Sequence, residues 1–170
     1  MLKYLYSPAD QYKLGMWAYS PILLISAILT LSSSLCLAQT TDQVMIQENI
    51  QALFDGMRAS DSTMLMPLFY DGATLRSVSL DRDGATKEHN SEISTFITAV
   101  GQPKDQIWDE RIHSYDIKVD GPLGIAWTPY SFYIGDQLSH CGVNAFTMIK
   151  KDGRWYIADI IDTRKSNDCN

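Results

Sequence analysis

The stretch from Leu123 to Thr163, LGIAWTPYSFYIGDQLSHCGVNAFTMIKKDGRWYIADIIDT, decides the fold. Three runs rich in Ile, Val, Tyr, Trp and Thr, namely Leu123–Ile134, Leu138–Lys150 and Trp155–Thr163, are separated by Gly135-Asp136 and Asp152-Gly153. β-Branched and aromatic side chains suit a pleated, half-buried surface, and two-residue Gly/Asp connections favour tight hairpins. The preceding run, Ile107–Val119, joins through Asp120-Gly121. The C-terminal half therefore reads as a four-stranded antiparallel meander.

Upstream the period changes from two to 3.6. Ile46, Ile50, Leu53, Phe54 and Met57 form one apolar stripe, which predicts a helix over Asp42–Met57. Ser60 or Asp61 caps a short second helix through Leu68 and Phe69, closed by Tyr70-Asp71-Gly72. The turn cluster Asp81-Arg82-Asp83-Gly84 joins a small hairpin. A third helix is expected from Asn90 or Ser91, with Ile93, Phe96, Ile97 and Val100 inward, ending at Gly101 before Pro103. Helices first and a meander last give an α+β chain with three N-terminal helices packed on a curved antiparallel sheet.

Residues 1–38 have a different character. From Met16 to Ala38 there is no charge, and an apolar run Ile22–Leu29 precedes the small-residue end Ser34-Leu35-Cys36-Leu37-Ala38. This is the layout of a signal peptide, so residues 40–170 are expected to form a single periplasmic or secreted domain. The alternative is an uncleaved membrane anchor over 16–38. The chain carries a formal charge of −6, and loss of Lys3, Lys13 and Asp10 with the leader makes it one unit more negative. Such a surface has no electrostatic reason to bind nucleic acid.

Element order, together with Trp127-Thr128-Pro129-Tyr130-Ser131-Phe132-Tyr133, His140-Cys141-Gly142-Val143-Asn144-Ala145-Phe146 and Asp159-Ile160-Ile161-Asp162-Thr163-Arg164, resembles the nuclear transport factor 2-like superfamily over about Asp42–Arg164. Within it the motifs look like the bacterial lumazine-binding-like branch. The resemblance implies a cone-shaped α+β fold that hosts unrelated activities, from binding domains to isomerases, dehydratases and cyclases.

Alternate strand residues face opposite sides of a sheet. An unbroken pairing outward from the Asp152-Gly153 turn places Phe146, Met148, Trp155 and Ile157 against the helices, and with them His140, Asn144 and Asp159. The same count brings Ile125, Trp127, Ser131 and Tyr133, and then Arg111, His113, Tyr115 and Ile117, to that face. The expected cavity takes a small, partly apolar molecule, with Tyr115, Trp127, Tyr133, His140 and Asn144 as ligand-binding residues. For the enzymatic alternative, Asp159 and His113 are the candidate catalytic acid or base. Tyr156, Ala158, Ile160, Ala145, Thr147 and Ile149 fall on the outer face, and their apolar character predicts a homodimer.

Two cysteines remain after the leader. The final strand runs beside Cys141, and Cys169 follows five residues after Arg164, so a Cys141–Cys169 disulfide is within reach. His89, His113 and His140 lie on separate elements and no cysteine set has zinc spacing, so no metal or cofactor is expected.

Overall fold

The structure, a computed structural model, describes residues 41–166 and 169. The leader and the anchor alternative lie outside the described residues. Helix α1, residues 41–59, buries Ile46, Ile50, Leu53, Phe54 and Met57 as its stripe predicts. Its first turn is tied to the sheet by Asp42, whose carboxylate accepts from Lys150 Nζ at 2.6 Å and from Trp155 Nε1 at 3.0 Å.

Helix α2, Ser62–Leu65, begins at Asp61, which accepts from the Thr63 amide at 2.9 Å. It is shorter than expected. Pro67 sits inside the next turn and lacks an amide hydrogen, so Met66–Leu68 continues as a 3-10 turn and Phe69 already starts a strand. Strand β1, Phe69–Leu80, therefore contains Tyr70-Asp71-Gly72, and β2 is Thr86–Glu92. The Asp81 carboxylate organises the connection between them, accepting from the amides of Asp83 and Ala85 at 3.0 and 2.9 Å. Helix α3, Ile93–Gly101, starts later than predicted because Asn90 and Ser91 are paired in β2, and it stops at Gly101 as expected.

The meander comprises β3 (Trp108–Ile112), β4 (Asp116–Asp120), β5 (Leu123–Ile134), β6 (Gln137–Lys151) and β7 (Arg154–Thr163). The sheet order is β2-β1-β7-β6-β5-β3, with β4 also paired to β5. Since β1 pairs with β7 in parallel, the curved sheet is mixed and only the meander is wholly antiparallel.

The Gly135-Asp136 and Asp152-Gly153 turns hold the predicted register at their tips, Ile134 opposite Gln137 and Lys151 opposite Arg154. Beyond the tips, the expectation of unbroken pairing is corrected by two single-residue bulges. Ala158 is the extra residue between the pairs Met148–Ile157 and Thr147–Asp159, and Ser139 is the extra residue between Tyr133–Leu138 and Phe132–His140. A one-residue slip exchanges the faces of everything that follows. Ile160 and Asp162 thus turn inward and Asp159 outward, while Ala126, Thr128, Tyr130 and Phe132 replace Ile125, Trp127, Ser131 and Tyr133 over the helices. The expected strand 107–119 is likewise two strands, and the break at 113–115 shifts their pairing on β5 by one.

The core joins the α1 stripe, Leu65 and Val100 to Ala126, Phe146, Met148, Trp155, Ile157 and Ile160. Among the described residues no helix is long and apolar enough to cross a membrane.

Candidate functional site

Between α1, α3 and the concave face of the sheet lies a cavity of about 410 Å³. Its walls are apolar. Leu53, Phe54 and Met57 come from α1, Phe96 from α3, and Trp108, Phe132, Phe146 and Ile160 from the sheet. Polar side chains gather where β3, β5, β6 and β7 adjoin: Glu110, Tyr130, His140, Asn144, Asp162 and Arg164.

Asp162, only 4% exposed, is the anchor of this end. It accepts a hydrogen bond from Ser77 Oγ of β1, one at 2.8 Å from Arg164 Nε, and it shares the Tyr130 hydroxyl, at 3.0 Å, with the Thr163 carbonyl. Three donors hold this carboxylate in place and occupy most of its acceptor positions. Burial and the adjacent Asp162 charge push the Tyr130 hydroxyl well above the usual phenol range, so it remains a donor.

Glu110 is its opposite. The carboxyl is partly buried among apolar walls and accepts one hydrogen bond, from Asn144 Nδ2 at 2.7 Å. Burial pushes it up to about 7, with Asp162 adding to the rise and Asn144 and Arg164 working against it. His140 rests on two rings, its centroid 4.9 Å from Phe132 and 5.8 Å from Tyr130. Burial and the nearby Arg164 charge lower its basicity, so the imidazole is neutral at physiological pH.

Of the residues singled out in the sequence, the cavity receives His140 and Asn144. Asp159 is instead on the outer face, bonded by Thr74 Oγ1 and paired with Arg76 Nη2 at 3.0 Å, because Ala158 bulges. His113 is exposed in the β3–β4 break, its Nε2 3.0 Å from Ser131 Oγ. Tyr115 packs at the other end of the core and donates to Gln51 at 3.1 Å. Trp127 is 54% exposed on the convex face, and the Tyr133 ring is covered by the Arg111 guanidinium at 4.0 Å.

Cys141 and Cys169 are joined in a disulfide, with Cα atoms 5.6 Å apart. The bond secures a tail that already pairs with β6, since Cys141 and Lys165 exchange backbone hydrogen bonds at 2.9 and 2.8 Å.

Glu110 was readable. Trp108, Glu110 and Ile112 alternate with Asp109 and Arg111, a carboxylate on the apolar parity of a short strand. The signal is lost when the strand is continued to Val119, which puts Arg111 and His113 inside instead.

Helices packed on a curved, open mixed sheet, with a cavity between them, match many solved structures. The fold is that of the nuclear transport factor 2-like superfamily. A nuclear transport factor 2-like protein of unknown function from Shewanella baltica aligns with 74% of this chain and 95% of its own, at TM-score 0.54 and 18% identity. A nuclear transport factor 2-like protein with a cystatin-like fold from Novosphingobium aromaticivorans aligns over 82% and 90%, at TM-score 0.61 and 12% identity. A third, from Streptomyces avermitilis and described provisionally as a dehydratase of this family, covers 74% and 97%, at TM-score 0.56 and 10% identity. At these identities the likeness extends to the fold. No family model and no curated protein matches the sequence.

Proposed function

We propose that this nuclear transport factor 2-like chain is an exported domain that binds a small, partly apolar molecule in the cone cavity. The observation that carries the reading is the cavity itself: 410 Å³, apolar on most sides, with polar groups converging at one end. That combination suits ligand binding, since apolar area supplies affinity and a few hydrogen bonds supply orientation. The uncharged run 16–38 supports export, and the Cys141–Cys169 bond agrees with an oxidising compartment. Screening by native mass spectrometry or thermal shift tests the binding reading: ligands that stabilise the protein and lose affinity when Phe146 is replaced by a polar residue of similar volume support it. Saturable ligands insensitive to cavity substitutions would sink it.

A proton-transfer enzyme of isomerase, dehydratase or cyclase type is the second reading. What favours it is Glu110, poised near neutrality in an apolar setting with Asn144 holding one oxygen. In this reading Glu110 takes the part the sequence assigned to Asp159 and His113.

The convex face supports a homodimer. Leu123, Ile125 and Trp127 are 48, 48 and 54% exposed along β5 and lie opposite Ile149, Thr147 and Ala145 of β6. Ile160 does not belong to this face: it is 4% exposed in the core.

A further inference from the structure

We propose that the cavity recognises a compact organic cation, a protonated amine on an apolar or ring-shaped body, with Glu110 as counter-ion and the aromatic walls as its seat. This rests on the cavity being a binding site and names the chemistry of what it binds.

Charge balance is the first argument. Three side chains with a formal charge line the cavity: Glu110, Asp162 and Arg164. Arg164 is committed to Asp162 at 2.8 Å, and Asp162 is engaged by Ser77, Tyr130 and Arg164. Glu110 is left with the neutral Asn144 as its one hydrogen-bond partner among the described residues. The lining therefore holds one carboxylate more than it holds cations. A buried carboxylate without a counter-charge takes up a proton or pairs with a ligand that brings the charge.

Hydrogen-bonding capacity points the same way. The second oxygen of Glu110 and the side-chain carbonyl of Asn144 accept no bond among the described residues, and both side chains line the cavity. An ammonium carries three donors and no acceptor, which matches two adjacent free acceptors. Around them the cavity is lined by Phe54, Phe96, Phe132 and Phe146, aromatic side chains that attract a cation and cover an apolar body, and Trp108 of the same wall already holds Lys104 Nζ 4.6 Å from its ring centroid. A carboxylate ligand meets the reverse: two acidic neighbours and one guanidinium already engaged.

Binding of an amine is coupled to loss of the Glu110 proton. The titratable groups facing Glu110 are Tyr130 from β5, His140 from β6, and Asp162 and Arg164 from β7 and its extension, while α1 and α3 contribute apolar Leu53, Phe54, Met57 and Phe96. Tyr130 stays protonated, and burial with the Arg164 charge lowers the basicity of His140. Glu110, pushed up to about 7 by burial, is the carboxyl whose proton an ammonium ligand displaces.

Three probes of one shape test this on the full chain: tryptamine, its alcohol isostere tryptophol, and indole-3-acetate, measured by calorimetry. At pH 8 tryptamine is expected to bind about tenfold tighter than tryptophol, with indole-3-acetate weakest, and this advantage is expected to shrink about tenfold at pH 6 as Glu110 takes its proton. Near pH 7, heats in buffers of different ionisation enthalpy should report proton release with tryptamine. Glu110→Gln should remove the advantage while leaving tryptophol affinity within about threefold. If that variant does not fold, the pH series and proton release on the unsubstituted protein decide alone. Tryptophol binding as tightly as tryptamine, or indole-3-acetate binding tightest, overturns the cation and leaves the cavity reading standing. Absence of saturable binding by all three overturns both.

Discussion

Asn144 Nδ2 donates to Glu110 Oε1 at 2.7 Å, joining the middle of β6 to β3 across β5, and among the described residues no cation forms an ion pair with the carboxylate. Glu110 therefore has its proton affinity set mainly by burial, with consequences for stability.

A carboxyl raised from 4.5 to about 7 on folding holds its proton in the native state over a pH range where the unfolded chain has released it. The native state then binds more protons than the unfolded one, so stability falls as pH rises from about 4.5 to 7 and is flat above. The cost is about 3 kcal/mol at pH 8. Glu110→Gln should remove it, raising stability at pH 8 with little change at pH 4. Denaturant titrations of both proteins across pH 4–8 check this; parallel curves would contradict it.

The two aspartates of β7 should behave oppositely. Asp162→Asn disturbs bonds from Ser77, Tyr130 and Arg164 in a buried setting and should cost about 3 kcal/mol. Asp159→Asn alters a partly exposed pair with Arg76 and should cost under about 1 kcal/mol. Equal midpoints for the two variants in urea would refute the assigned faces.

A side chain at Gly142 has no room. A Cβ there would run into the Thr163 carbonyl, because the end of β7 and the tail lie directly against this point of β6. Gly142→Ala should therefore destabilise by roughly 2–4 kcal/mol through displacement of backbone. Hydrogen exchange should show the loss first at Cys141 and Lys165, whose amides bridge the two segments.

The Cys141–Cys169 bond spans 28 residues, and a loop of that length predicts about 3–4 kcal/mol of stabilisation from restriction of the unfolded chain. Replacing both cysteines with serine should lower stability by that order, and reducing the parent should reproduce the effect. Non-reducing peptide mapping of the protein must recover the linked peptides.

On the convex face, Trp127→Glu should yield a folded monomer, because this ring is the most exposed of the apolar strip Leu123, Ile125 and Trp127. Ile160→Glu should instead prevent folding, since it places a charge in the core. Sedimentation equilibrium separates these outcomes, and a monomeric mass for the unsubstituted protein at micromolar concentration would end the dimer proposal.

The elements themselves were written locally. The α1 stripe, the Asp81 turn, the stop at Gly101 and both hairpin tips follow from side-chain periodicity and from Gly/Asp turn chemistry, which act over a few residues. The core positions nearest the last turn, Met148, Trp155 and Ile157, followed from the same counting.

Which face each later residue takes was decided elsewhere. Ala158 and Ser139 carry no local mark of a bulge, and either could have stayed in a regular ladder. Tertiary structure selects the bulged pairing because it buries Ile160 and Phe146 together and brings Asp162 under Ser77, Tyr130 and Arg164, whereas the unbroken ladder would set Asp159 into the core and Ile160 into solvent. The strand pattern of this protein was thus legible from its residues, while the identity of its cavity carboxylates depended on long-range packing that weighs whole faces of the sheet against each other.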